Sequence, residues 1–248
     1  MTTISVCLIC LNEEEFIKPC IESVKDADEI IVVDGGSTDK TLEIIDALNL
    51  PNLTVYHRKW EMNWGAQRNY ALSKATGDFV FQIDADEVLS DNGIDNLRAV
   101  AEQLKKDEVI FASISMNHFI KDFGHIDATL PVHWCLRRFF MNLKDKDEIQ
   151  LISYKRQMHE FPQMNIEEPG KVSTAFGKTF QPDQPVLFHY GYCKGIKSII
   201  DKQKINQKLS PIHSQEFLTK WKQDHLFGNY PVKNFTGQHP EPIRKMIE

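Results

Sequence analysis

The sequence contains no run approaching the ~18 apolar residues that a membrane-spanning helix requires. Its first residues, Met1-Thr2-Thr3, enter an apolar run with neither a basic stretch nor a small-residue cleavage site, so no signal peptide is expected. Cysteine is sparse: five thiols (Cys7, Cys10, Cys20, Cys135, Cys193), odd in number and scattered, argue against a disulfide framework and for reduced thiols in a cytosolic protein. Cys7-Leu8-Ile9-Cys10 has the spacing of a zinc knuckle or redox pair, but side chains three apart on a strand face opposite sides, so both are expected to be buried small apolar residues. A positive surplus is also missing. The net charge of −6 gives no general case for nucleic-acid binding. Gly-x-Gly-x-x-Gly follows no strand, since the nearest match is Gly35-Gly36-Ser37, and this removes an NAD-dependent dehydrogenase. The Gly-rich basic loop of a sugar-1-phosphate nucleotidyltransferase is replaced by Asn12-Glu13-Glu14-Glu15. There is no internal repeat, low-complexity segment or clear linker.

What is present is ordinary for a globular chain of 248 residues: 42% hydrophobic and 26% charged, enough for one large domain or one with a small appendage. Charge is uneven. From Lys194 onward ten Lys/Arg face five Asp/Glu, leaving −11 on the first 193 residues. Two readings of that basic stretch stand: a solvated helical face, or a surface that meets an anionic lipid or acceptor.

The first half alternates in pattern. Ile4 to Leu11 is a continuous apolar run, as expected of a strand covered on both faces. Asn12 is placed to cap a helix, with Glu13, Glu14 and Glu15 at its positive end and Phe16, Ile17, Cys20, Ile21 and Val24 at helical spacing. Glu29 to Asp34 is a second buried strand, followed by the turn Gly35 to Asp39 and a helix from Thr41 to Leu48. Leu53 to His57 is a third strand, and Asn63 to Ala75 a helix with Gly77 suited to its cap. Phe79 to Ile83 is the fourth strand, and Ser90 to Lys105 a helix with Ile94, Leu97, Val100, Ala101 and Leu104 inward. This order demands parallel pairing through right-handed crossovers, an α/β fold with a nucleotide-binding half. Beyond Glu108 the pattern loosens. Strands are expected over Val109 to Met116, Trp134 to Met141, within Ile149 to Met158 and over Pro185 to Tyr190, with Phe119 to Asp127 as loop. Helix returns from Lys194 and again from Gln215 to Leu226, and roughly the last 20 residues look loosely ordered.

The organising stretch is Phe79-Val80-Phe81-Gln82-Ile83-Asp84-Ala85-Asp86-Glu87, an apolar strand that ends on three acids. Crowded carboxylates repel unless a cation or a solvated turn relieves them, and a hard divalent ion that also holds phosphates is the natural partner. Asp34 ends the second strand before a Gly-Gly turn. It either accepts from a base imide or ribose hydroxyl, or it caps the following helix. Both sites lie at the C-terminal ends of strands in one parallel sheet and open onto a single crevice.

Four segments resemble the family 2 glycosyltransferases of GT-A fold: ISVCLICLNEEEFI, EIIVVDGGSTDKT, NWGAQRNYALSKATGDFVFQIDADE and, less specifically, His159-Glu160. Within that family the look is closest to bacterial enzymes that add a sugar to lipopolysaccharide core or related surface glycans. The resemblance implies a GT-A domain over 1–193, with 1–90 its nucleotide-binding half and 91–193 its acceptor and catalytic half, and a helical extension over 194–248. It assigns Asp34 to the base or ribose, Arg68 in Gln67-Arg68-Asn69 to the nucleotide, and Asp84 to the ribose or to shared metal coordination. Asp86 becomes the principal ligand of Mn²⁺ or Mg²⁺, and Arg138, with Arg137 as its rival, stands near the diphosphate. His189 is expected to complete the metal shell or touch a phosphate, and Glu87 to support these groups or start a helix. Glu160 is the expected base and His159 its neighbour. Trp60, Trp64 and Trp134 either stack on sugar rings or pack in the core. The implied partners are a nucleotide-sugar donor, UDP first, and a glycan or lipid-linked acceptor, with no nucleic acid. The implied location is the cytoplasm, with peripheral contact at the inner membrane face. The alternatives are a nucleotide-sugar or glycan-binding module without chemistry, a nucleotidyltransferase, and a metal-dependent phosphatase that would leave Asp34 unexplained.

Overall fold

A computed structural model describes residues 1–107, 111–129, 135–142, 152–153, 163–164, 186–195, 197, 199–201, 204 and 230–248. Its first half alternates as the pattern requires: β1 (Ile4–Cys10), α1 (Ile17–Ser23), β2 (Glu29–Asp34), α2 (Thr41–Ala47), β3 (Leu53–His57), α3 (Trp64–Lys74) and β4 (Phe79–Gln82). Strands β3, β2, β1 and β4 lie side by side, all parallel. Strand β1 is buried along its whole length because helices cover both faces. Val6, Leu8 and Cys10 pack with Ile17, Cys20 and Ile21 of α1 and with Leu97 and Ala101, while Cys7 and Ile9 pack with Ala71 of α3. The two thiols therefore serve opposite cores, as strand alternation requires. Each fully buried Ile, Leu or Val contributes roughly 1.5–3 kcal/mol relative to exposure, so β1 anchors the half-domain.

Beyond β4 the sheet changes sense. The short β5 (Glu87–Leu89) leads into α4 (Gly93–Lys106), whose Ile94, Leu97, Val100, Ala101 and Leu104 are all buried as the spacing predicts. Strand β6 (Phe111–Ile120) and β8 (Cys135–Met141) pair antiparallel, β8 pairs antiparallel with β4, and β7 (His125–Asp127) folds back on β6. A two-stranded ladder joins β9 (Ile152–Ser153) to β10 (Gln163–Met164). Strand β11 (Val186–Tyr192) runs parallel to β6 and antiparallel to β5, which brings His189 level with Glu87. A final strand, β12 (Val232–Asn234), pairs with β7, and α5 (Glu241–Ile247) closes the described chain.

Several local expectations give way to tertiary contacts. Asn12 does not cap α1, which begins five residues later behind Phe16. Its backbone turns left-handed (φ 56°) and its Oδ1 accepts from Thr38 N at 2.8 Å, lacing the β1 and β2 loops together. Gly77 does not close α3, whose cap residue Ala75 is extended. A Cβ on Gly77 would stand 2.8 Å from Ser5 N and Oγ, so glycine is required by the close approach to β1. The expected loop over Phe119 to Asp127 is instead the end of β6, a tight turn and β7. The final residues, expected to be loose, are held by a fully buried Ile243, by Tyr190 Oη to His239 Nδ1 (2.8 Å) and by Arg244 to Asp91 (3.0 Å). Residues after 194 thus add a strand to the sheet and a helix beside α1. The expected helix over 215–226 lies outside the described residues.

Candidate active site

The C-terminal ends of β1, β2 and β4 form one edge, because Cys10 pairs with Asp34 and Cys7 with Gln82 in parallel register. Asp34 is buried there and grips its own turn: its carboxylate accepts from Gly36 N (2.8 Å) and Ser37 N (3.1 Å). Gly36 has φ of 103°, which favours glycine. The first amide of the following helix is met not by Asp34 but by Asp39, one residue before the N-cap Lys40; the Asp39 carboxylate accepts from Thr41 N at 3.0 Å. His57 Nδ1 lies 3.7 Å from Asp34, and the Cys10 thiol donates to it at 3.8 Å. Burial and the Asp34 charge push that thiol well up, so Cys10 stays protonated. Beside the turn, the Trp60 and Trp64 rings meet tilted at 53° with centroids 4.3 Å apart, and Trp64 packs against the core cluster that holds Ala71.

The acids after β4 divide into two groups. Asp84 turns toward cations: its Oδ1 accepts from Arg68 (3.0 Å) and Gln82 (2.8 Å), its Oδ2 from Arg138 (3.0 Å). The Arg138 guanidinium, almost fully buried, also donates to Glu87 (3.0 Å) and to Gln82 (2.5 Å). Glu87 in turn accepts from Asp84 N at 2.8 Å. Burial works against the charge on Asp84, but Arg138 and Arg68 outweigh it and hold its carboxyl well below the usual range. Glu87 is the opposite case. Burial dominates, Arg138 offsets it only in part, and the carboxyl is pushed up to about 8.

Asp86 faces the other way. Its Oδ1 is 3.7 Å from His189 Nε2 on β11, and its Oδ2 is 3.3 Å from the Lys194 ammonium, which also pairs with Glu13. Tyr190 N donates to the Asp86 carbonyl at 2.9 Å, pinning β11 to this loop. A side chain at Gly191 would crowd this pair, since a Cβ there would stand 2.7 Å from Asp86 Oδ2 and 2.8 Å from the His189 ring. The His189 ring stacks flat on His118 of β6, with centroids 4.4 Å apart.

The matching family model is that of glycosyl transferase family 2, and it covers residues 5–165. The chain belongs to glycosyltransferase family 2. Its parallel half and mixed sheet are those of the family's GT-A fold. A TPR repeat-containing protein of Synechococcus elongatus is 29% identical over 231 residues, 91% of this chain and 49% of that protein. The lipopolysaccharide core biosynthesis glycosyltransferase LpsC of Rhizobium meliloti is 31% identical over 127 residues, 49% of this chain and 45% of that one. Among solved structures, S. aureus TarS in complex with UDP is 23% identical with a TM-score of 0.45, covering 63% of this chain and 52% of that one. The family 2 chain spans about half the length of these relatives, 49% and 45% of the two proteins.

Against the expected site, the structure brings Asp34, Arg68, Asp84 and Arg138 to one sheet edge and sets His189 beside Asp86. It gives Asp84 two arginine partners, so the candidate donors to a metal that face away from those guanidinium groups are Asp86 and His189. Arg138 lies beneath the acids and braces them, and the side chain of its rival Arg137 lies outside the described residues, as do Trp134, His159 and Glu160. Among the described residues no three His, Cys, Asp or Glu side chains converge to hold a metal ion alone. Mg²⁺ and Mn²⁺ sites commonly take one or two protein ligands and complete their shell with phosphate oxygens and water, and Asp86 with His189 fits that pattern. Three site residues went unread in the sequence. Gln82 signalled itself as a polar side chain inside a strand buried on both faces. Lys194 was counted with the basic tail, and His118 fell between the strand expected over Val109 to Met116 and the loop expected from Phe119; neither carries a local signal.

Proposed function

We propose that this chain transfers a sugar from a nucleotide-diphosphate sugar to a hydroxyl of a glycan or lipid-linked acceptor. The observation that carries this reading is the division of labour at one sheet edge. Asp34 and the Arg68–Asp84 pair line the nucleotide side, and Asp86 with His189 stands beside them. UDP is the first nucleotide to test, and the similarity to LpsC, a lipopolysaccharide core biosynthesis glycosyltransferase, makes a lipopolysaccharide-type glycan the first acceptor class.

In this reading Asp34 accepts a hydrogen bond from the base or ribose while its turn stays fixed by Gly36 and Ser37. Arg68 touches the nucleotide while keeping Asp84 in place. Asp86 and His189 would hold Mn²⁺ or Mg²⁺, which when bound neutralises the charge developing on the departing diphosphate. The acceptor oxygen bonds to the anomeric carbon as the bond from that carbon to phosphate oxygen breaks, and the diphosphate leaves with the electron pair. Glu160 takes the acceptor's proton, in one displacement that inverts the anomeric centre. Contact with an anionic membrane at its cytoplasmic face would use the stretch after Lys194, in which Lys197 is exposed and Lys204 pairs with Asp201 at 2.8 Å. No described helix is long and apolar enough to cross a membrane. Neutralising Lys197, Lys202, Lys204 and Lys208 together should abolish binding to anionic vesicles; unchanged binding removes the membrane contact.

The test of the function is a panel of sugar nucleotides, each with Mn²⁺ or with chelator, read by thermal stabilisation and slow donor hydrolysis. A ligand that binds only the folded state raises Tm by mass action, so the matching donor declares itself without an acceptor. Tm unmoved by every nucleotide, with or without metal, contradicts the proposal. Binding without hydrolysis that is indifferent to Glu160→Gln would favour a binding module.

A further inference from the structure

Asp86 is nearly inaccessible (1% exposed) and stands next to Asp84 and Glu87, two more acids in one tight loop. Arg68 and Arg138 are directed at Asp84 and Glu87. The cation beside Asp86 comes from elsewhere in the chain: the Lys194 side chain, 6% exposed, reaches back to lie 3.3 Å from Asp86 Oδ2 and to pair with Glu13 at the end of β1. The chain around Lys194 is held in the same place. Gly195 N donates to Glu15 Oε2 at 3.3 Å, Cys193 N to the Tyr190 carbonyl at 2.8 Å, and Gly191 nests against Asp86 and His189. Segment 190–195 therefore wraps the very carboxylate that the proposed function gives to a metal.

A divalent ion brought to Asp86 and His189 would stand within a few ångströms of that ammonium, in a site largely closed to water. Like charges at such a separation repel strongly where solvent screening is weak. One of the two cations must yield, and Glu13 gives the lysine a partner to retreat to. We propose that Lys194 is a resident counter-ion of Asp86 that the metal displaces, so that metal binding competes with the seating of segment 190–195. The inference rests on the metal reading of Asp86 given above. It also explains the crowding of glutamates at 13–15, which sequence pattern alone assigns to a helix start and which tertiary contact assigns to Lys194, Lys40 and Gly195.

The experiment is calorimetric titration of the nucleotide-free protein with Mn²⁺, wild type against Lys194→Met. The variant should bind Mn²⁺ about tenfold more tightly, because a full positive charge beside the ligand has been removed. Equal or weaker binding by the variant overturns the inference while leaving the metal site standing. Absence of Mn²⁺ binding in both proteins overturns the metal reading itself. Should Lys194→Met fail to fold, the wild type carries the test through amine-reactive labelling read by peptide mass spectrometry. Saturating Mn²⁺ should raise Lys194 labelling several-fold; labelling that is unchanged or reduced contradicts displacement.

Discussion

Replacing Arg138 with Met removes the brace under the acid loop while roughly keeping side-chain bulk. The guanidinium donates to Gln82, Asp84 and Glu87 and is 2% exposed, so all three acceptors lose a charge-assisted partner away from water. Removing one member of a buried ion pair costs about 3–5 kcal/mol. Two features pull the expectation to the lower end. Asp84 keeps Arg68 and is 26% exposed, so water can replace part of what is lost. Glu87, pushed up to about 8, is already mostly protonated at neutral pH, so it leaves little charge stranded when Arg138 is gone. The expected loss at pH 7 is about 3 kcal/mol in urea denaturation, or roughly 6–12 °C in Tm for a chain of this size. Adding Glu87→Gln should change this loss little at pH 7, since the protonated Glu87 already needs no counter-charge there. Arg138→Lys should fall between, because a single ammonium cannot serve three acceptors as the fork does. A loss below about 1 kcal/mol would refute the bracing role.

Three further outcomes follow from the same contacts. The folded protein holds a proton on Glu87 that the unfolded chain releases near its ordinary value of 4.5, so this group makes stability fall as pH rises from there to about 8. Urea denaturation at pH 5.5 and 8 should show Glu87→Gln gaining on wild type at the higher pH, by at most about 1.4 kcal/mol per pH unit; parallel behaviour counts against a protonated Glu87. Gly77→Ala should lower stability by about 1–3 kcal/mol, because its methyl meets the Ser5 backbone rather than a mobile side chain; an unchanged Tm would mean β1 can move aside. Gly191→Ala should leave most of the fold's stability but weaken Mn²⁺ binding about tenfold, since its methyl intrudes on Asp86 and His189; undiminished binding in calorimetry would separate the metal from that pair.

The parallel half was readable because β1, β2 and β4 are buried along nearly their whole length and each helix carries its own spacing, so β1 to β4 and α4 needed only local information. Asn12 and Gly77 were misjudged for one reason. Their side chains, or lack of one, answer to a neighbouring loop or strand brought close by the fold. The second half resisted because antiparallel strands such as β6 and β7 mix polar and apolar residues along a partly open face, which blurs alternation. Order at the C-terminus hangs on a few distant contacts, His239 with Tyr190 and Arg244 with Asp91, that leave no periodic trace. At the site, the acids announced their own chemistry, whereas their counter-ions did not. Arg138 was read by resemblance as standing near the diphosphate, and the fold adds that it braces Gln82, Asp84 and Glu87. Lys194 lies 108 residues beyond Asp86 and meets it only because β11 runs beside β5.

The measurement that bears most directly on the central claim is calorimetric binding of UDP in the presence of Mn²⁺, compared between wild type and Asp86→Asn. Asn keeps the shape of Asp86 and removes its charge, so folding can be checked independently by Tm. The account predicts that wild type binds UDP with Mn²⁺, loses most of that affinity to chelator, and that Asp86→Asn binds as weakly with metal as without it. Equal, metal-independent binding by both proteins, or no binding of UDP or any other nucleoside diphosphate by wild type, would contradict it.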